Sequence, residues 1–170
     1  MGWASFIARF TAHGALAVAC LVAGTSDCLA DPPAPAGGTA LASRTAPDPL
    51  VAMFVWWNAA YKQKDGFTAE AFARYFTNDA VMRINGRDRS RGVADLAQHF
   101  RAIQASTERV AIELPFIDEF VSAGGDQIFT HHFVVAREHG KDSRERVMGY
   151  ATIQHGKISL LNFVSIADPE

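Results

Sequence analysis

The chain has 170 residues, of which 49% are hydrophobic and 20% charged, and its formal net charge is −2. This length suits one domain with an additional segment, and the balance is that of a globular chain rather than a disordered one. The near-neutral charge gives no electrostatic basis for a nucleic-acid partner or an anionic membrane surface.

Residues 1–30 differ from the rest. Arg9 is the only charge before the apolar run Gly14 to Gly24, and the small residue Ala30 follows shortly after. A basic start, a short apolar core and a small residue at the end form the pattern of an export signal, and the run is too short for a comfortable membrane span. The reading is cleavage after Ala30, with delivery to the periplasm or outside the cell. A lipoprotein signal ending at Cys20 is the alternative, but apolar Leu21, Val22 and Ala23 stand where a polar tether is expected. Both cysteines, Cys20 and Cys28, fall inside this segment. The mature domain then has no disulfide, no thiol nucleophile and no thiolate metal site.

Residues 31–48 are rich in Pro, Ala and Gly without hydrophobic period, which makes them a linker. Asp48-Pro49 offers an N-cap with proline at the first helical position. A first helix is expected from Pro49 to Gln63, since Leu50, Met53, Phe54, Trp57 and Tyr61 form one apolar stripe. Asp65-Gly66 ends it. Thr68 caps a second helix, on which Phe72, Tyr75 and Phe76 share a face. Val81 to Ile84 reads as a strand, Asn85-Gly86 as a tight hairpin turn, and Arg87 to Arg91 as the return. Gly92 begins a third helix that reaches about Ala105, with the stripe Val93, Leu96, Phe100 and Ile103. The arginines at positions 83, 87, 89 and 91 fit a solvated hairpin.

The period then changes from helical to two. Arg109 to Ser122 alternates loosely around Pro115, which suits a sheet edge or a bulge. Gln127 to Glu138, Arg144 to Gln154 and Lys157 to Ile166 follow as strands, with turns at 123–126, 139–142 and 155–156. Helices first and an antiparallel meander after them predict an α+β domain over residues 49–168.

These elements carry a resemblance. Lys64-Asp65 after the first helix, Phe76-Thr77-Asn78-Asp79-Ala80 leading into the first strand, Gly92 and Phe100 on the third helix, and Gly156-Lys157-Ile158 opening the last strand occur in an order that resembles the nuclear transport factor two-like, or SnoaL-like, superfamily. The resemblance implies a cone-shaped roll: three N-terminal helices packed on a curved, mainly antiparallel sheet around an apolar cavity. It does not imply one reaction, because this fold serves isomerases, cyclases, dehydratases and plain binding modules. Carried over residue by residue from ketosteroid isomerases, the tyrosine's place is held by Trp57, the base's place falls near Ile84 and the acid's place near Tyr150. The proton-transfer carboxylate is missing, which speaks against that chemistry.

For the site, the register implied by the resemblance turns Thr130, His132, Val134 and Ala136 inward, and Phe129, His131, Phe133 and Val135 outward, where a homodimer contact through the sheet is one possibility. An inward His132 is a candidate acid or base; a histidine bonded to a core neighbour is the alternative. Tyr150 is a candidate hydrogen-bond donor and Asp79 a candidate orienting carboxylate; a strand-start carboxylate bonded to backbone is the alternative for Asp79. Trp56, Trp57, Tyr61, Phe76, Ile84, Phe100, Val134 and Phe163 are candidate ligand-binding residues, with core packing as the alternative. No metal site is expected, because His131 and His132 point to opposite faces. No cofactor is expected either: there is no phosphate-binding glycine loop and no nucleophile elbow. Two functional readings stand: a cavity for a small, mainly apolar molecule with cofactor-free acid–base chemistry, or a non-catalytic binding or protein-interaction module of the cell envelope.

Overall fold

A computed structural model of the chain describes residues 48–168. The expected export segment, and all of the linker except Asp48, lie outside the described residues. The elements in order are α1 (Pro49–Ala60), α2 (Ala69–Ala73), β1 (Phe76–Ile84), β2 (Arg87–Arg91), α3 (Val93–Ser106), β3 (Arg109–Ile112), β4 (Asp118–Val121), β5 (Gln127–Glu138), β6 (Lys141–Gln154) and β7 (Lys157–Ala167). This is the expected α+β arrangement, with helices packed on a mainly antiparallel sheet. Among the described residues no helix is long and apolar enough to cross a membrane.

The helices start where their caps are. The Asp48 carboxylate accepts from Leu50 N at 2.7 Å and Val51 N at 3.2 Å, with Pro49 at the first helical position. Leu50, Met53, Phe54 and Trp57 are buried along one stripe of α1. The helix stops at Ala60, three residues before the expected end. Thr68 Oγ1 caps α2 by accepting from Ala71 N at 3.1 Å. Phe76 does not continue the α2 face. It opens β1, which begins earlier than expected because Phe76 already stands beside Ile158 of β7.

Three hairpins share one turn design. Asn85-Gly86, His139-Gly140 and His155-Gly156 are each a two-residue loop with positive φ at both positions. Such loops match the twist of the strands they join. The second is shorter than expected, so β6 begins at Lys141, directly opposite Glu138. The seven-stranded sheet runs β2-β1-β7-β6-β5-β3, with β4 also paired to β5. All pairs are antiparallel except β1 with β7. The stretch expected as one strand from Arg109 to Ser122 is two. β3 pairs with the far half of β5 (Val134 to Arg137) and β4 with its near half (Ile128 to His131). Pro115, which follows a cis peptide bond, lies between them, off the ladder, where a missing N–H costs nothing. The arginine-rich β1–β2 hairpin is exposed and ordered by Asp88, which pairs with Arg83 at 2.7 Å and Arg91 at 2.6 Å.

Two asparagine side chains complete the backbone bonding where strands run out. Asn58 on α1 donates to the Ile112 carbonyl at 2.8 Å and accepts from Ile112 N at 2.9 Å. Asn85 donates to the Ser165 carbonyl at 3.1 Å and accepts from Ser165 N at 2.9 Å. Each amide acts as a short piece of neighbouring strand. Gly149 allows the tightest approach within the sheet. Its φ is +155°, and a Cβ there would stand 2.1 Å from the Asn162 carbonyl oxygen. Replacing Asn58 by leucine leaves a donor and an acceptor on Ile112 without partners. Urea denaturation of Asn58→Leu is therefore expected to show a loss of about 2 kcal/mol, whereas Val55→Ala, at an exposed position of the same helix, should lie close to the parent.

Candidate functional site

The helices and the concave face of the sheet enclose a cavity of about 30 Å³. Of the residues singled out in the sequence, Trp57, Phe76, Ile84, Phe100, His132, Val134 and Phe163 line it. Met53, Phe54, Phe72, Met82, Ile112, Val147, Leu161 and Ser165 complete the wall. The lining is aromatic and aliphatic, with two polar exceptions, His132 and Ser165.

The remaining candidates lie elsewhere, each for a geometric reason. In an antiparallel pair, directly opposed residues share a face. Tyr150 opposes Phe129, which faces outward, so Tyr150 is outward too, packed on Phe129 at 5.4 Å. The inward residues of β6 are Glu145, Val147 and Ala151. Asp79 falls between inward Ala80 and the start of β1, on the exposed side of the strand. Trp56 is one residue around the helix from Trp57, about 100° away. It stacks on Tyr75 at 5.0 Å, packs edge-on against Phe72, and has the Arg74 guanidinium over its ring at 5.6 Å. Tyr61 is buried, but its hydroxyl donates to the Thr107 carbonyl at 2.8 Å and so braces the end of α3. Ile84, where a ketosteroid isomerase would have its base, is a plain apolar wall residue.

His132 is 2% exposed. Its ring is surrounded by Phe54 at 5.3 Å, Phe116 at 5.4 Å and Phe163 at 5.6 Å. Nδ1 meets Thr130 Oγ1 at 3.3 Å, and the residue lines the cavity. Burial, with a smaller contribution from neighbouring His131, pushes the imidazole pKa down to about 4. The ring is thus neutral at physiological pH, as desolvation of a cation requires. His131 faces the opposite side, where Nδ1 pairs with the Asp118 carboxylate at 3.1 Å.

Glu145 is the functional group that reading the sequence missed. It is 8% exposed. Its carboxyl oxygen lies 2.5 Å from Ser165 Oγ, and among the described residues no cation pairs with it. Burial raises its pKa, partly offset by the Ser165 hydrogen bond. The flanking Arg144 and Arg146 face the other way, toward Glu113 and Asp168. The inward parity of β5 held the signal. With Glu138 opposite Lys141, Val134 must oppose Glu145, so an inward Val134 places Glu145 inward. Among the described residues there is no group of three or more His, Cys, Asp or Glu side chains able to hold a metal ion.

No family model matches the sequence. No curated protein matches it either. Solved structures do match the fold. A nuclear transport factor two-like protein of unknown function from an Exiguobacterium species superposes with a TM-score of 0.57 at 17% identity, over 72% of this chain and 99% of that one. A nuclear transport factor two-like protein from Anabaena variabilis gives 0.55 at 11% identity, over 72% and 88%. A Catenulispora acidiphila protein with a ketosteroid isomerase-like fold, solved in complex with trimethylamine, gives 0.53 at 14% identity, over 72% and 86%. At these identities the likeness is one of fold.

The titratable groups on the inward faces of β5 and β6, His132 and Glu145, predict opposite pH effects on stability. For His132 the folded pKa is about 4, against an ordinary value of 6.5. Stability present above pH 6.5 is lost as pH falls toward 4, because only the unfolded chain takes the proton there. The loss amounts to about 3 kcal/mol. For Glu145 the folded pKa lies above its ordinary value of 4.5, so stability falls as pH rises from that value through the folded pKa. Denaturation curves across pH should show His132→Gln flattening the acid-side loss and Glu145→Gln removing the loss on the rising side.

Proposed function

We propose that this chain, which has the nuclear transport factor two-like fold, is an exported domain that binds a small, mainly apolar molecule between its helices and the concave face of its sheet. The observation that carries this reading is an enclosed aromatic void into which one neutral histidine and one serine open. Sites for small molecules are built in this way, from apolar walls with a few placed polar groups. The void as formed holds about two waters at most. Entry of a ligand therefore requires the wall to yield, and Met53 and Met82, unbranched and adaptable, are its pliable members.

Binding is favoured over turnover. Among the described residues no carboxylate lines the cavity, Asp79 is exposed and Tyr150 points away. A histidine with a pKa near 4 is a weak base at neutral pH, poorly matched to a proton shuttle. The export pattern of residues 1–30 supports a place in the periplasm or outside the cell. In thermal melts, small cyclic apolar probes such as cyclopentanone and methylenecyclopentane are expected to raise Tm. The stabilisation should approach about 1.4 kcal/mol at tenfold excess over Kd. If neither probe moves Tm, the cavity is a packing remnant and this reading fails.

A second reading concerns the outer sheet face, which presents Phe120, Met148, Val164 and Ile166, exposed by 62%, 49%, 54% and 52%. Met148 opposes Val164, so these side chains share one face, and Phe120 stacks on Phe129 beside them. Such a patch calls for cover. A second copy of the chain is the proposed occupant. Light scattering should report a dimer for the parent and a monomer for Met148→Glu; a monomeric parent would end the idea.

A further inference from the structure

We propose that Ser165, with Glu145 behind it, is the hydrogen-bond donor of the cavity and selects a ligand carrying one neutral acceptor oxygen, such as the carbonyl of a small ketone or aldehyde. The inference rests on the binding reading above and makes it chemically specific.

Ser165 is 4% exposed and lines the cavity; Glu145 does not line it but bonds to Ser165 Oγ from the outer end. The backbone of Ser165 is held on both its N–H and its carbonyl by Asn85, so rotation of the hydroxyl is its main remaining freedom. A serine hydroxyl has one proton and two lone pairs. If Glu145 is ionised, that proton is spent on the carboxylate. If Glu145 is protonated, the acid donates to Ser165 Oγ, and the serine proton is free to point at a ligand. A buried carboxyl without a cation favours the protonated form, and the raised pKa of Glu145 agrees. The pair then presents a polarised O–H at one spot of an apolar wall.

His132 supplies the contrast. Val134 opposes Glu145 and His132 opposes Val147, so His132 and Glu145 are diagonal on neighbouring strands, with backbones roughly 7–8 Å apart. His132 and Ser165 flank Val147 in one row across β5, β6 and β7, and Phe163, one row further from Glu145, touches the imidazole. A ligand whose oxygen reaches Ser165 therefore lays its hydrocarbon part against the rings around His132. A carboxylate ligand would bring an uncompensated charge into the dry cavity, which its desolvation cost disfavours.

The test compares cyclopentanone with methylenecyclopentane, which differ by an oxygen in place of a CH₂ group, titrated into the protein while the Met53 and Met82 methyl resonances are followed. The parent should bind the ketone roughly 3–10-fold more tightly, the value of one buried hydrogen bond. Ser165→Ala should abolish that preference without abolishing alkene binding. Glu145→Gln should keep it, because the amide N–H donates to Ser165 Oγ as the protonated acid does. Equal binding of the two probes by the parent, or a preference that survives in Ser165→Ala, overturns the proposal and leaves the cavity reading standing. Loss of the preference in Glu145→Gln, with the alkene still bound, also overturns it. Failure of both probes to bind the parent overturns the binding reading and this inference together.

Discussion

The geometry of the site depends on how the sheet's unpaired backbone is satisfied. A curved sheet that encloses a space must stop its strands at different heights, and every stop leaves N–H and C=O groups to be paired. Asn58 and Asn85 resolve two such stops with side-chain amides, one at Ile112 and the other at Ser165. Both of those residues belong to the cavity wall. The amides therefore set where the wall stands at two of its points. Asn58 also ties α1 to the sheet edge, which brings Met53, Phe54 and Trp57 over the concave face.

Once that frame is set, the apolar interior determines the charge states inside it. His132 and Glu145 occupy inward positions of neighbouring strands, and each is driven toward its neutral form by the same cause, loss of water. Groups shifted in this sense can share an apolar space with less demand for counter-ions. Their polar atoms are met locally, by Thr130 for the imidazole and by Ser165 for the carboxyl. Outside, the same strands carry ionised groups in water-facing pairs, such as Arg144 with Glu113 and Arg146 with Asp168. Alternation along β6 thus separates a dry chemistry from a wet one at every second residue.

Much of the fold was legible because it is written in local terms. The Asp48-Pro49 cap, the α1 and α3 stripes, Asn85-Gly86 and the inward parity of β5 depend only on near neighbours. The cavity wall was legible where parity was right, as for His132, Val134 and Phe163, and on α1 where the stripe was clear, as for Trp57. It was not legible where a position was carried over by counting instead of being paired across strands. Tyr150 was placed by analogy with an acid of other members of the fold, whereas pairing with Phe129 turns it outward, and Glu145, inward by the same parity, was passed over. That Asp79 lies within β1, on its exposed side, follows from the pairing of Phe76 with a strand some 80 residues away, which no local pattern reveals. Trp56 and Tyr61 show the limit of composition: aromatic residues near a cavity are not thereby in it.

The parallel pairing of β1 with β7 has a kinetic consequence. The hairpins β1–β2, β5–β6 and β6–β7 close over two-residue loops, at small entropic cost. The β1–β7 contact joins distant parts of the chain; Asn85 and Ser165, which seal its end, are 80 residues apart in sequence. Long-range closures of this kind come late in folding. The two hairpin systems can therefore form independently, and the enclosed space comes into being only when they dock. The wall draws on both systems, Phe76, Met82 and Ile84 from β1 and Leu161, Phe163 and Ser165 from β7, so a complete lining exists only in the docked state.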